Sequence, residues 1–120
     1  MAKLLSMPAV KITNAVFAIN ELLSIERIQQ MINAGYDVET ITVAHLNSQT
    51  SGIFDFVNTK LYQSRTTGSP GYSWTRDEQI KLAFTVKPLF DPGARFSYSE
   101  TNNLLLTEIL EKQTGLPFYE

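Results

Sequence analysis

The sequence predicts a mostly α-helical chain, and three observations carry that prediction. Apolar residues recur at helical spacing in several separate segments. A Thr-x-x-Glu capping box at 75–78 marks one helix start clearly. Only residues 95–98 read as a strand, and that stretch is short. The 120 residues suit one domain, and 43% hydrophobic residues can supply its core.

Two helices are predicted in the first third of the chain. The first helical pattern covers residues 12–23, and the second covers residues 25–34. Ser24 lies between them and can cap the second helix. Gly35 follows the second pattern as a C-terminal stop.

The middle of the chain predicts a short helix, a loop and a second helix. The short helix covers residues 41–46 and opens after Thr40 or Thr42. Residues 63–73, QSRTTGSPGYS, have the Gly, Ser and Pro content of an exposed loop. The capping box then predicts a helix over residues 76–85.

The last helix is predicted to begin near Thr101. Its apolar stripe consists of Leu105, Leu106, Ile109 and Leu110. Gly115 and Pro117 come in the order expected just beyond a helix end.

Composition and charge exclude several classes of function. The formal net charge is -2 and the ten Lys and Arg residues are scattered, so we expect no nucleic-acid partner. The chain has no cysteine and a single histidine, which argues against a metal site of the thiolate or His-rich kind. No apolar run approaches the roughly 18 residues of a membrane span.

The start of the chain, MAKLLSMPAVKITNAVFA, has some features of a secretory signal. Pro8, Lys11 and Asn14 interrupt the apolar region that such a signal keeps continuous. We therefore predict an amphipathic helix here instead of a signal peptide.

Two stretches carry a resemblance to a known family. Residues 91–120, DPGARFSYSETNNLLLTEILEKQTGLPFYE, follow a pattern of Pro-Gly, an aromatic residue, Tyr-Ser-Asn and a leucine-rich helix ending in Thr-Gly. Residues 41–56, ITVAHLNSQTSGIFDF, follow a pattern of Ile-Thr, His-Leu and Thr-Ser-Gly. Over roughly residues 20–120, the chain resembles serine β-lactamase-related proteins: class C β-lactamases, D-alanyl-D-alanine carboxypeptidases, penicillin-binding proteins and related esterases.

The resemblance implies an α/β architecture in which helices pack on an antiparallel sheet, with the sheet largely missing from this chain. It implies acyl transfer through a serine ester, on a β-lactam, a D-Ala-D-Ala peptide or an ester, without a cofactor. Family members are commonly periplasmic, secreted or membrane-attached.

The resemblance also implies a role for Tyr98. Three motifs meet in the family's active site: Ser-x-x-Lys, Tyr-x-Asn, and a Lys- or His-containing triplet on a strand. Tyr98 matches the tyrosine of the second motif, which implies an acid/base phenol near a nucleophilic serine. The alternative is an amphipathic tyrosine that packs at the helix start with a solvated hydroxyl.

The chain departs from all three motifs. Glu100 takes the place of the substrate-binding Asn, which disfavours an amide or anionic substrate and is compatible with an ester or with a site that has lost function. The alternative is an acid at a helix N-terminus, where the macrodipole favours it. Ser6 and Lys11 are the candidates for the nucleophile and its base, but five positions separate them instead of three. The triplet of the third motif is missing.

We therefore predict one partial β-lactamase-related domain over residues 1–120 that is inactive by itself. A rival interpretation is a small, non-catalytic helical module that binds a protein partner, or a second copy of itself, through an exposed apolar face. Candidate residues for that face are Val16, Ile19, Leu105 and Ile109.

Overall fold

The structure, a computed structural model, describes residues 16–117. Over that range five α-helices and two 3₁₀ turns follow one another, with no strand and one isolated antiparallel bridge between Ala18 and Thr42. The helices are α1 (Ile25–Asn33), α2 (Val43–Asn47), α3 (Lys60–Gly68), α4 (Arg76–Ala83) and α5 (Glu100–Thr114), and the 3₁₀ turns are Ile19–Glu21 and Phe56–Asn58. None of these helices is both long and apolar enough to cross a membrane.

Helix α1 confirms the predicted second helix and its cap. The Ser24 hydroxyl accepts a hydrogen bond from the backbone N–H of Arg27 at 3.1 Å, which satisfies one of the free donors of the first turn. Gly35 follows the helix with a φ of 96°, a conformation that glycine adopts without steric cost.

The predicted helix over residues 12–23 is wrong for the part that the structure describes, and residues 12–15 lie outside it. From Ile19 to Glu21 the chain makes a 3₁₀ turn. Its backbone groups bond to another segment, because Ile19 N–H donates to the Ile41 carbonyl at 2.8 Å and Asn20 N–H to that of Val38 at 3.2 Å. For these two N–H groups, the tertiary pairing takes the place of the i to i−4 bonds of an α-helix.

Helix α2 settles which threonine caps the predicted short helix. Thr42 is the N-cap, and its hydroxyl accepts from the backbone N–H of His45 at 3.2 Å. The His45 side chain completes a capping box, because Nδ1 accepts from the Thr42 backbone N–H at 3.0 Å. The single histidine therefore serves the backbone of a helix start.

Residues 63–73 are exposed, but they are not all loop. Helix α3 continues to Gly68, so the irregular segment begins at Ser69. Thr59 caps this helix by accepting from Tyr62 N–H at 3.2 Å. The helix buries no residue, and the Arg65 guanidinium lies 4.9 Å from the ring centre of Tyr72, so the loop folds back over it.

Helices α4 and α5 build the core with α2. The predicted capping box is present in α4, where Thr75 accepts from Glu78 N–H at 3.1 Å and the Glu78 carboxylate accepts from Thr75 N–H at 2.9 Å. Helix α5 packs against α2 and α4. Gly115 ends α5 in the left-handed conformation, as its position predicts.

Three of the four residues expected on an exposed apolar face are buried instead. Ile19 and Leu105 are 0% exposed and Ile109 is 5% exposed, whereas Val16 is 76% exposed. The stripe of α5 faces helices α2 and α4 of the same chain, so it is core and not free surface.

The predicted strand at 95–98 is also absent from the described residues. The segment is irregular, and Ser97 N–H donates to the carbonyl of Gln49 at 2.9 Å. Within it Phe96 and Tyr98 are exposed, whereas Ser97 is half-buried and Ser99 is buried.

Candidate active site at the start of helix α5

The Thr-Ser-Gly turn and the start of α5 form one hydrogen-bonded unit. The Ser51 hydroxyl donates to Asn102 Oδ1 at 2.7 Å, and both side chains are buried. The Thr101 hydroxyl accepts from Phe56 N–H at 3.1 Å and donates to the Phe54 carbonyl at 2.9 Å. These bonds fix the first turn of α5 relative to residues 51–56.

Gly52 allows the turn to approach a second segment closely. Its φ is +84°, and a Cβ atom there would lie 2.3 Å from the Phe90 carbonyl oxygen. The Gly52 carbonyl accepts from Leu89 N–H at 2.8 Å. Only glycine combines this conformation with this contact.

Tyr98 lies on the exposed side of this unit and is 54% exposed. Its hydroxyl donates to the Glu100 carboxylate. Asn103 Nδ2 donates both to the Tyr98 hydroxyl and to Glu100 Oε1, each at 3.1 Å. Tyr98 and Glu100, which the sequence analysis singled out, are therefore in contact, and Asn103 is hydrogen-bonded to both.

Gln49 determines which way the Asn103 amide points. Gln49 Oε1 accepts from Ser99 N–H at 2.8 Å and from Asn102 Nδ2 at 2.9 Å, so its amide nitrogen is directed away from them. That nitrogen donates to Asn103 Oδ1 at 3.3 Å. The Asn103 NH₂ group is thereby left facing Tyr98 and Glu100.

The surroundings of Tyr98 favour its protonated form. The hydrogen bond to Glu100 raises the pKa of the phenol above its ordinary value, and partial desolvation and the negative charges of Glu100 and Asp55 act in the same direction. The hydrogen bond from Asn103 acts in the opposite direction. The arrangement is a neutral phenol donating to a carboxylate, which can move a proton between two oxygens.

The other predicted site residues, Ser6 and Lys11, lie outside the described residues. Sequence reasoning missed Asn103 and gave no role to Gln49. A signal existed for Asn103, because it lies three residues after Glu100 on the same helix and i, i+3 side chains are neighbours. Gln49 gave no comparable signal, because it lies 54 residues from Asn103 in the sequence.

A separate cleft of about 380 Å³ lies between α1, α4 and α5 and does not include Tyr98. Arg27, which is 6% exposed, donates there to Glu108 through Nε at 3.0 Å and Nη2 at 2.5 Å. Arg76 donates to Glu111 at 2.5 Å. These pairs join three helices.

Among residues 16–117 there is no cluster of three or more His, Cys, Asp or Glu side chains that could hold a metal ion.

Two comparisons with known proteins identify the family to which the chain belongs. The sequence profile described as Beta-lactamase matches residues 24–120. The crystal structure of a D-stereospecific amidohydrolase from Streptomyces sp. superposes with a TM-score of 0.65 and 33% sequence identity. The match covers 69% of this chain and 26% of that chain, so the chain spans about a quarter of that relative. No curated protein sequence matches.

The match and the superposition confirm the predicted fold class. The described residues form helices without a sheet, as expected of the helical region of the β-lactamase/transpeptidase-like fold. The chain therefore belongs to the β-lactamase family.

Proposed function

We propose that the chain is part of a serine hydrolase that transfers acyl groups through a serine ester, and that it has little or no catalytic activity by itself. The observation that carries the proposal is Tyr98. It occupies the family's tyrosine position ahead of α5, with its hydroxyl bonded to Glu100. In this role the phenol exchanges a proton with the nucleophile.

The proposed acyl substrate is a β-lactam, a D-Ala-D-Ala peptide or an ester. Glu100 supports the ester, because a carboxylate at the Asn position repels an anionic substrate and cannot donate to an amide carbonyl when ionised. The two amide substrates, the β-lactam and the peptide, remain in the proposal because the Streptomyces relative is named a D-stereospecific amidohydrolase.

Ser6 and Lys11 are the proposed nucleophile and base, with a spacing that weakens their cooperation. The family spacing of three puts serine and lysine on one face of a helix, whereas a spacing of five does not match that pattern. This is the physical reason for expecting little activity from the chain alone.

Intact-protein mass spectrometry tests the expected inactivity. The full chain is incubated with a β-lactam and, separately, with an activated ester, beside Ser6→Ala and the exposed-serine control Ser48→Ala. We expect no adduct on a sample shown to be folded by circular dichroism. An adduct that survives in Ser48→Ala and disappears in Ser6→Ala would show that Ser6 is a live nucleophile.

Ligand titration followed by NMR tests the assignment of the site. Uncharged ester, acetyl-D-Ala-D-Ala and a β-lactam are added in turn to chain labelled at its tyrosines. We expect the Tyr98 signal to shift most with the uncharged ester, and the preference to weaken in Glu100→Asn. Equal shifts for all three ligands, or none, would contradict the proposed site.

The second candidate function is a non-catalytic module that binds a protein partner. The observation in its favour is the outer face of α1, where Ile25 is 89% exposed and Ile32 is 48% exposed. These residues lie two turns apart on one face of the helix. They replace the buried residues that the sequence suggested for such a surface.

A further inference from the structure

Glu100 stands where the family has a substrate-binding amide, yet its side chain is turned onto another protein group. Glu100 Oε1 accepts from the Tyr98 hydroxyl and also from Asn103 Nδ2 at 3.1 Å. A carboxylate can take up the proton of the group that donates to it, whereas the amide of an asparagine cannot. The substitution therefore changes what Tyr98 can do.

The contact is held by a chain of amides that reaches into the buried part of the molecule. Gln49 is 9% exposed and fixes the Asn103 amide through a 3.3 Å bond to Oδ1. Asn103 then donates to both members of the pair. A chance contact between two surface side chains would have no such support from a buried neighbour.

We propose that Tyr98 and Glu100 work as one proton relay, in which Glu100 is the final acceptor and Asn103 and Gln49 are positioning residues. The inference deepens the proposed function and rests on it for the assignment of Tyr98 as the residue that faces the nucleophile.

The relay moves two protons in one step. The O–H bond of an attacking hydroxyl breaks and its proton bonds to the Tyr98 oxygen, while the O–H bond of Tyr98 breaks and that proton bonds to Glu100 Oε1. The attacking oxygen is left with the electron pair that forms the acyl–oxygen bond. Tyr98 is neutral before and after the step, and Glu100 becomes a carboxylic acid. When the bond between the acyl carbon and the leaving group then breaks, the leaving atom keeps the electron pair of that bond and the reverse transfer gives it a proton.

This route fits the environment of the phenol better than a phenolate base does. An ordinary tyrosine has a pKa near 10, so at neutral pH it holds its proton. Glu100 and Asp55 are the charged groups that face Tyr98, from α5 and from the segment before the Phe56–Asn58 turn, and both are acidic. They oppose formation of a second anion, whereas a relay creates none on Tyr98.

The test is an NMR titration of the full chain carrying ¹³C at the tyrosine Cζ atoms. Tyr98→Phe assigns the Tyr98 signal among the five tyrosines. We expect two inflections for Tyr98, one when the carboxylate that accepts from its hydroxyl is protonated and one above the usual range of tyrosine. In Glu100→Gln the acid inflection disappears and the basic one moves to lower pH. The matched charge control Glu39→Gln leaves both in place.

Asn103→Asp separates the relay from a general disturbance of the surface. The variant keeps the acceptor for Gln49 but loses the donor to Tyr98, so the basic inflection moves to higher pH, opposite to Glu100→Gln. Equal directions in the two variants, or an acid inflection that survives in Glu100→Gln, would overturn the proposal. The titration involves no nucleophile or substrate, so its result is independent of the adduct and ligand experiments. The relay can therefore be wrong while the proposed function is right, and the proposed function can be wrong while the relay is right.

Discussion

Asn102 is the residue on which the candidate site depends most for its shape. It is 0% exposed, accepts from the Ser51 hydroxyl at 2.7 Å and donates to Gln49 Oε1 at 2.9 Å. Asn102→Ala leaves these two buried groups without that partner and also opens a cavity. Because an unsatisfied buried group costs about 1–3 kcal/mol, we expect a loss of roughly 2–4 kcal/mol in the free energy of unfolding, measured by urea denaturation.

Ser99→Ala is the matched control in the same turn of the chain. Ser99 is 1% exposed, and its hydroxyl has no hydrogen-bond partner among the residues that the structure describes. Its removal should cost no stability, since no bond there is lost. If both alanine variants unfold at the same urea concentration as the parent chain, the buried network does not stabilise the fold.

At the scale of single helices, the sequence predicted what local chemistry decides. Ser24, Thr75 and Gly115 act as the cap and stop residues that their types and positions indicate. The predictions that were wrong failed because contacts between distant segments decide the structure there. Residues 19–21 look helical, but their backbone groups pair with residues 38–41, and no local pattern reveals that partner.

The start of α4 makes stability depend on pH. The hydrogen bond with Lys81 is the main cause that lowers the pKa of Asp77, and the bond from the Thr75 backbone N–H is the main cause that lowers the pKa of Glu78. A carboxylate whose pKa is depressed on folding stabilises the fold above its unfolded pKa, and that contribution is lost as the pH falls through the folded value. We therefore expect the urea midpoint to fall as the pH drops below about 4.5, the ordinary pKa range of Asp and Glu.

In the double variant Asp77→Asn, Glu78→Gln, the urea midpoint should fall less steeply as the pH is lowered. Glutamine keeps the hydrogen-bond acceptor of the capping box, so α4 itself is retained. A second double variant, Glu21→Gln with Glu39→Gln, makes the same change in net charge at exposed positions. In this control variant, the urea midpoint should depend on pH as steeply as in the parent chain. Identical slopes in all three chains would assign the acid loss to other carboxylates.

For the whole molecule, residues 41–56 and 91–120 were enough to predict the family and the helical architecture. They did not predict which side chains of the site form hydrogen bonds with one another. Tyr98 and Glu100 are two residues apart and were both singled out. Gln49 and Asn103 are 54 residues apart, and their bond forms only because the Thr-Ser-Gly turn is folded against α5. Contacts of that kind depend on the packing of elements that a single sequence does not place relative to one another.

The exposed face of α1 leads to the last prediction, that the chain associates with itself. Ile25 and Ile32 present apolar side chains on one face of α1, and exposed apolar patches favour association. Sedimentation velocity should show an average mass that rises from micromolar to submillimolar concentration. Ile25→Lys with Ile32→Lys should hold the chain as a monomer, because two charged groups cannot be buried in such a contact without a large desolvation cost. The control, Val57→Lys with Leu61→Lys, alters exposed apolar residues at 57 and 61 instead and should leave the rise unchanged. A parent chain that stays monomeric throughout would contradict the prediction.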